Sequence, residues 1–252
     1  MSYQDRAVES AKVTASASMP SMLRPRFLVV SLSLLIAVAG IAGCTRKNEP
    51  SAQLPAADGL LKGAAADMKK INTVHFAIDA EGTIAGLALR GADGDLTRIG
   101  DAHGTAQLEQ SGQVVELEFI VKGDSMYIKG PTGGFQQVPL ALAASVYDPS
   151  AILDPDRGVA QILETATGGK TQSRESVNGI DAYRVTAKLD PRAVSTVVPG
   201  VTGDIDGELW IAATQPRLLK TKFAVPGQGG TPGGTVTITL SNFDLPVTVT
   251  AP

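Results

Sequence analysis

Apolar and polar residues alternate with a period of two along two stretches of the chain. The first runs from residue 73 to 139, and its clearest part is VVELEFIVK at 114–122. The second contains DAYRVTAKL, GELWIAA, RLLKTKFAV and GTVTITLSNF, between residues 181 and 243. Such alternation predicts antiparallel strands with one dry and one wet face, and glycine-containing turns separate the segments at hairpin distances.

Helical spacing of apolar residues precedes and separates these two stretches. Asp58 suits an N-cap position, and GLLKGAAADMKKI at 59–71 carries one apolar face. Three Asp-Pro pairs, at 148–149, 154–155 and 190–191, mark further helix starts, because aspartate caps free amides and proline tolerates the first helical position. The middle helix has an apolar stripe of Val159, Ile162, Leu163 and Ala166. The order helix, strands, helices, strands predicts an α+β fold with helices against one face of an antiparallel sheet.

The N-terminal segment has the layout of a secretory signal. Arg24 and Arg26 precede an apolar run at 27–42, which is shorter than the ~20 residues that a membrane-spanning helix needs. The run ends in Ile-Ala-Gly before Cys44, the only cysteine of the chain, and this ending resembles the lipobox of bacterial lipoproteins. We therefore predict that Cys44 is lipidated; the alternative is a free cysteine in an uncleaved anchor helix. Translation starts at Met1, Met19 or Met22.

The predicted domain plan follows from this signal. Residues 1–43 form the signal peptide, residues 44–57 the lipidated cysteine and a flexible tether with two prolines, and residues 58–252 a single domain. Two or more acyl chains hold a protein stably at a bilayer. We expect the mature chain at the cell membrane, lipid-anchored on the extracytoplasmic face.

Composition and candidate chemistry remove several function classes. The net charge is −3 and basic residues are not clustered, which argues against nucleic-acid binding. There are two histidines: His75 is placed on the polar side of a strand and His103 in a turn. Asp93, Asp95 and Asp101 lack the spacing of a calcium loop and are interpreted as turn formers. We predict no catalytic residues, no metal site, no cofactor and no enzymatic activity.

The apolar face of the predicted sheet must be covered, and two arrangements fit the pattern. Helices can fill the interior completely, as in a non-catalytic envelope interaction module with a filled core. Alternatively, helices and sheet leave a pocket for an apolar ligand. Periodicity does not separate these arrangements, because both need the same alternating stripe.

Several segments resemble the mycobacterial LppX/LprA/LprF/LprG lipoprotein family across roughly residues 58–251. They are INTVHFAIDAEG, VYDPSAILDPDRGVAQIL, VNGIDAYRVTAKL, ELWIA and TVTITLSNFDLPVTV. The resemblance implies a curved antiparallel half-barrel sheet whose concave face is closed by helices around an apolar cavity. It also implies a non-enzymatic carrier that binds multi-acyl lipids or glycolipids and moves them across the cell envelope. Phe243 stands where family members usually have tryptophan, which leaves the identity of the lipid open.

The resemblance also indicates which residues and partners to expect. Acyl chains would lie against the concave apolar side chains, for which the candidates are Ala106, Leu108, Val115, Leu117, Phe119, Val121, Val159 and Ile162. The expected partners are a multi-acyl lipid or glycolipid and the cell membrane, with a membrane lipid transporter as a further candidate.

Overall fold

One antiparallel sheet organises the part of the chain that the structure describes. The computed structural model describes residues 53–143, 149–199, 201–227, 229–230 and 232–252. The predicted signal peptide, Cys44 and most of the tether lie outside these ranges. The strands of the described part are β1 Thr73–Thr83, β2 Leu89–Thr97, β3 Ala102–Gln110, β4 Gln113–Lys122, β5 Ser125–Lys129, β6 Gln136–Pro139, β7 Thr167–Val177, β8 Ile180–Leu189, β9 Ile205–Ala212, β10 Leu218–Pro226 and β11 Gly233–Ser241.

The sheet consists of two meanders that are joined by the first and the last strand. Its order is β6-β5-β4-β3-β2-β1-β11-β10-β9-β8-β7, so every neighbouring pair except β1–β11 is also consecutive in sequence. β1 and β11 pair from His75↔Ser241 to Thr83↔Gly233. The two alternating stretches of the sequence therefore form the two halves of one sheet.

Helices cover the inner, concave face of this sheet. They are α1 Ala57–Met68, α2 Leu140–Ala143, a 3-10 helix at Pro149–Ile152, α3 Val159–Thr165 and α4 Pro191–Val197. The buried face of α1 (Leu61, Ala64 and Met68) belongs to the same apolar core as the inward residues of β1 and β11. The predicted α+β class, with a curved antiparallel sheet and helices on its concave face, is confirmed.

A pair of glycines on the inner face allows β2 and β3 to approach closely. Gly94 and Gly104 face each other across the two strands, in a row with Phe76 on one side and Phe119 on the other. A Cβ on Gly104 would collide with the carbonyl oxygen of Asp93, and one on Gly94 with that of His103. Glycine at both positions therefore permits the close approach of the two strands at this point.

The helix starts agree only in part with the Asp-Pro pairs. Asp190 caps α4 as predicted, because its carboxylate accepts the N–H of Arg192 and Pro191 opens the helix. Asp154, in contrast, accepts the N–H groups of Asp156 and Arg157 in a turn, and α3 begins only at Val159. The prediction of a helix directly after Asp154-Pro155 was wrong. Asp148 lies outside the described residues.

The first helix also differs at its ends. α1 begins at Ala57, with Ala56 at the N-cap, so Asp58 lies in the first turn instead of capping the helix. A carboxylate in the first turn still suits the positive end of the helix dipole. The helix ends at Met68, three residues before the predicted end of its apolar pattern.

Candidate functional site

An enclosed apolar pocket lies between α3, α4 and the C-terminal half of the sheet. Its lining is aliphatic or aromatic except for one threonine, and comprises Val159, Ile162, Leu189, Val194, Val197, Val198, Leu209, Leu218, Thr221, Phe223 and Ile238. Its volume is only about 10 Å³, about the space that one water occupies and far less than an acyl chain needs. The helices and the sheet therefore pack closely here.

Two of the eight sequence-predicted lipid-binding residues line this pocket. Val159 and Ile162 of α3 are buried and face β8–β11. The remaining lining comes from α4 and from β8–β11, which sequence reasoning did not select. The signal was present, because RLLKTKFAV and GTVTITLSNF alternate as clearly as the N-terminal strands.

The other six predicted residues lie together on the inner face of β3 and β4. Cross-strand pairing sets Ala106 beside Leu117 and Leu108 beside Val115. Phe119 and Val121 lie on the same face of β4 and are buried. None of the six lines the enclosed pocket among the described residues.

Cover over the inner face decreases toward the β3–β4 turn. Leu108, Val115 and Leu117 are half-buried, whereas Phe119 and Val121, farther along β4, are fully buried. We call Leu108, Val115 and Leu117 the half-buried strip. The inner face thus has a closed part under α3 and α4 and a partly solvated apolar part on β3 and β4.

Ion pairs hold α1 to its neighbours. Lys69 pairs with Glu164 of α3 at 2.6 Å, and Arg217 pairs with Asp67 at 2.8 Å and with Asp244 at 3.1 Å. The Arg217 guanidinium also lies 5.2 Å from the centroid of the Phe243 ring. Phe243 is partly buried against the apolar core and is not part of the pocket lining.

The outer face of the sheet is polar and corrects two sequence interpretations. His103 lies in β3, not in a turn, and Asp93 and Asp95 lie in β2, where they do not form a turn. His75 Nδ1 is 3.0 Å from Asp95 Oδ1, and His75 Nε2 is 3.3 Å from Asp93 Oδ2. His75, His103, Asp93 and Asp95 are thus cross-strand neighbours on the outer face of the sheet. Across the described ranges, histidines, aspartates and glutamates form no group suited to holding a metal ion.

Asp101 lies in the connection between β2 and β3, and its carboxylate is buried. Burial raises its pKa, but hydrogen bonds from Lys122 Nζ at 2.6 Å and from the Gly123 N–H at 3.1 Å, with the Lys122 charge, lower the pKa by more. The net effect is a pKa below the usual value. Asp101 thus joins the β2–β3 and β4–β5 turns and has a structural role.

The helices of the described segments are all too short or too polar to cross a bilayer. The longest of those named above, α1, has 12 residues.

Comparison with known proteins gives one consistent result. The sequence model of the LppX_LprAFG lipoprotein family matches residues 56–249. The lipoarabinomannan carrier protein LprG of Mycolicibacterium smegmatis is 35% identical over 237 residues, which cover 91% of this chain and 98% of that protein. The LprG of Mycobacterium tuberculosis H37Rv is 30% identical, with 90% of this chain and 95% of that protein covered.

Solved structures support the same fold. LprF from Mycobacterium bovis superimposes with a TM-score of 0.68 and 28% identity, over 78% of this chain and 96% of LprF. LppX from Mycobacterium tuberculosis gives a TM-score of 0.58 at 21% identity, over 77% of this chain and all of LppX, which supports the fold alone. The resemblance inferred from the sequence segments is confirmed, and the chain belongs to the LppX_LprAFG lipoprotein family.

Proposed function

We propose that this protein binds acylated lipids or glycolipids on the inner face of its sheet and carries them within the cell envelope. The observation that carries the proposal is the half-buried strip, which continues the buried apolar face beyond the cover of the helices. A protein that leaves such a strip on a concave face has a ready contact surface for hydrocarbon. The carrier names of its relatives support the same conclusion.

The proposed ligand has long or several acyl chains. Each methylene transferred from water to an apolar surface contributes ~0.8 kcal/mol, so about a dozen methylenes provide ~10 kcal/mol without a polar contact. The relatives are named as carriers of lipoarabinomannan, a name that supports a glycolipid ligand for this chain as well. A large polar headgroup would stay outside, because the inner face offers it few hydrogen-bond partners.

Acyl chains that contact the half-buried strip can extend onto β8–β11 only if α3 and α4 move away from the sheet. The enclosed pocket of about 10 Å³ does not hold even a short chain. Acyl chains inserted between the helices and β8–β11 would replace the contacts that Val159, Ile162 and Val194 make with the sheet. The closed form would then hide the same apolar surface from water when no lipid is bound.

Anchoring belongs to the same proposal. Acylated Cys44 would hold the domain at the extracytoplasmic face of the cell membrane, after removal of residues 1–43. The residues from 45 to 56 span at most ~40 Å when extended, at ~3.3 Å per residue. That reach would let the domain meet the bilayer or a membrane lipid transporter without leaving its anchor.

Native mass spectrometry of the full-length protein, expressed in a mycobacterial host, tests this function. We expect wild-type protein to retain lipid adducts. Leu117→Asp should lose most of them, because it places a charge within the half-buried strip, where hydrocarbon cannot solvate it. Glu118→Gln is the matched control: it is the next residue of β4, faces outward and should leave the adducts unchanged.

The closed pocket favours one alternative, an envelope interaction module with a filled core. Wild-type protein that is repeatedly free of lipid, and that takes up none from vesicles, would support the module and contradict the carrier. Equal adducts in wild type and Leu117→Asp would show that lipid binds elsewhere on the molecule.

A further inference from the structure

One polar atom interrupts the apolar lining of the enclosed pocket. Thr221 lies in β10 between its pairing partners Leu209 on β9 and Ile238 on β11, both of which also line the pocket. Its residue exposure is 5%, and its Oγ1 has no hydrogen-bond partner among the described residues. A buried hydroxyl without a partner is unfavourable, so its presence here calls for an explanation.

A trapped water does not explain it. A buried water normally makes two to four hydrogen bonds, about three on average. The side chains around Thr221 are hydrocarbon, and β10 pairs with β11 and β9 on both sides of this residue. The hydroxyl can gain a partner when α3 and α4 open and another molecule enters.

The surroundings restrict the chemistry of that partner. A charged or sugar group would lose its hydration against Val194, Leu209 and Phe223 without compensation. A single hydrogen-bond acceptor embedded in hydrocarbon meets both requirements. The carbonyl oxygen of an acyl ester is such an acceptor, and a threonine hydroxyl can donate to it.

We propose that Thr221 Oγ1 donates a hydrogen bond to an ester carbonyl of the bound lipid and thereby selects ester-linked over ether-linked chains. This inference rests on the proposed carrier function and makes it more specific. An ether-linked chain has the same apolar body but lacks the carbonyl, so it leaves the hydroxyl unpartnered in the loaded form. Selection would thus come from one residue of β10.

Two matched lipids test the inference on the full-length protein. The probes are dipalmitoyl phosphatidylinositol with ester links and its dialkyl analogue with ether links, each supplied in vesicles and quantified by native mass spectrometry. Wild type should prefer the ester lipid by about 2- to 10-fold, the value of one neutral hydrogen bond. Thr221→Val keeps the side-chain shape and should bind both lipids equally, whereas Thr221→Ser should keep the preference.

Thr239→Val is the control for a threonine-to-valine change in a neighbouring strand. Thr239 of β11 pairs with Lys220 of β10 and is half-buried on the outer face, so its variant should keep the ester preference. Thr221→Val should also raise the Tm of the lipid-free protein, by about 2–4 °C, because it removes a buried unpartnered hydroxyl. Thr239→Val should not.

The outcomes separate this inference from the carrier function. Equal binding of both lipids by wild type, or an ester preference that persists in Thr221→Val, overturns the role of Thr221 and leaves the carrier function standing. Failure of wild type to bind either lipid overturns the carrier function and the inference with it. A lower Tm for Thr221→Val would show that the hydroxyl has a partner in the lipid-free protein.

Discussion

At the scale of single residues, Glu175 shows how the outer face is stabilised by charge. Its carboxylate accepts hydrogen bonds from Ser173 Oγ at 2.5 Å, Trp210 Nε1 at 3.0 Å and Arg184 Nε at 2.7 Å. The Ser173 and Trp210 bonds, with a smaller contribution from Arg184, lower the pKa of Glu175 to about 2. These bonds tie the edge strand β7 to β8 and β9.

The lowered pKa of Glu175 predicts a pH dependence of stability. A carboxylate with a lower pKa in the folded state stabilises the fold above its unfolded pKa, and this contribution is lost as the pH falls. For Glu175 the window runs from about pH 4.5 down to about 2. Urea unfolding should show that Glu175→Gln loses less stability than wild type across this window. Identical pH profiles would contradict the role of the ionised carboxylate.

Residue-level prediction succeeded where the alternation was regular and failed where it was broken. The helical stripe placed Val159 and Ile162 correctly against the inner face. In β10, however, an irregularity between Leu218 and Lys220 shifts the register, so Leu218 faces the pocket while Leu219 packs with Trp210 on the outer face. Strict alternation assigns these two leucines to the opposite faces, and the sequence contains no sign of the shift.

At the scale of elements, the close approach of β2 and β3 depends on the absence of side chains at Gly94 and Gly104. Gly104→Ala should force the two strands apart, because the new Cβ would collide with the Asp93 carbonyl oxygen. We expect a loss of about 1–3 kcal/mol in the free energy of unfolding, typical of overpacking, measured by urea denaturation.

A second glycine provides the control for this prediction. Gly59 lies in α1, and a Cβ there would meet no atom within 4 Å. Gly59→Ala should therefore stabilise the protein slightly, by about 0.5–1 kcal/mol, through helix propensity. If Gly104→Ala were as stable as wild type, the close approach of β2 and β3 would not be required for the fold.

Elements with a strong apolar period could be predicted, and a polar edge strand could not. Residues 73–139 form β1–β6 as expected, and the four later segments form β8–β11. β7, TGGKTQSRESV, has no apolar alternation because it lies at the edge of the sheet and is largely exposed. Pairing with β8 and the hydrogen bonds of Glu175 stabilise β7, which buries little apolar surface. The pattern of apolar residues in the sequence shows neither of these two interactions.

At the scale of the whole molecule, the inner face of the sheet has two differently covered parts. α3 and α4 close the part on β8–β11, and the half-buried strip on β3 and β4 is partly open. Sequence reasoning predicted the sheet and its covering helices, but the degree of cover depends on how tightly helices pack, which periodicity does not encode. A cavity of lipid size therefore stays a prediction that depends on opening.

The distance between α3 and the sheet tests this opening most directly. Spin labels at Gln161 on α3 and at Lys222 on the outer face of β10, in a Cys44→Ser chain, would report this distance by pulsed electron paramagnetic resonance. A second pair within the sheet, at Lys188 and Lys222, serves as the control. Lipid loading should lengthen the α3–β10 distance by about 4 Å or more, the thickness of one hydrocarbon layer in van der Waals contact, and leave the control distance unchanged. Lipid-loaded protein with an unchanged α3–β10 distance would contradict the account.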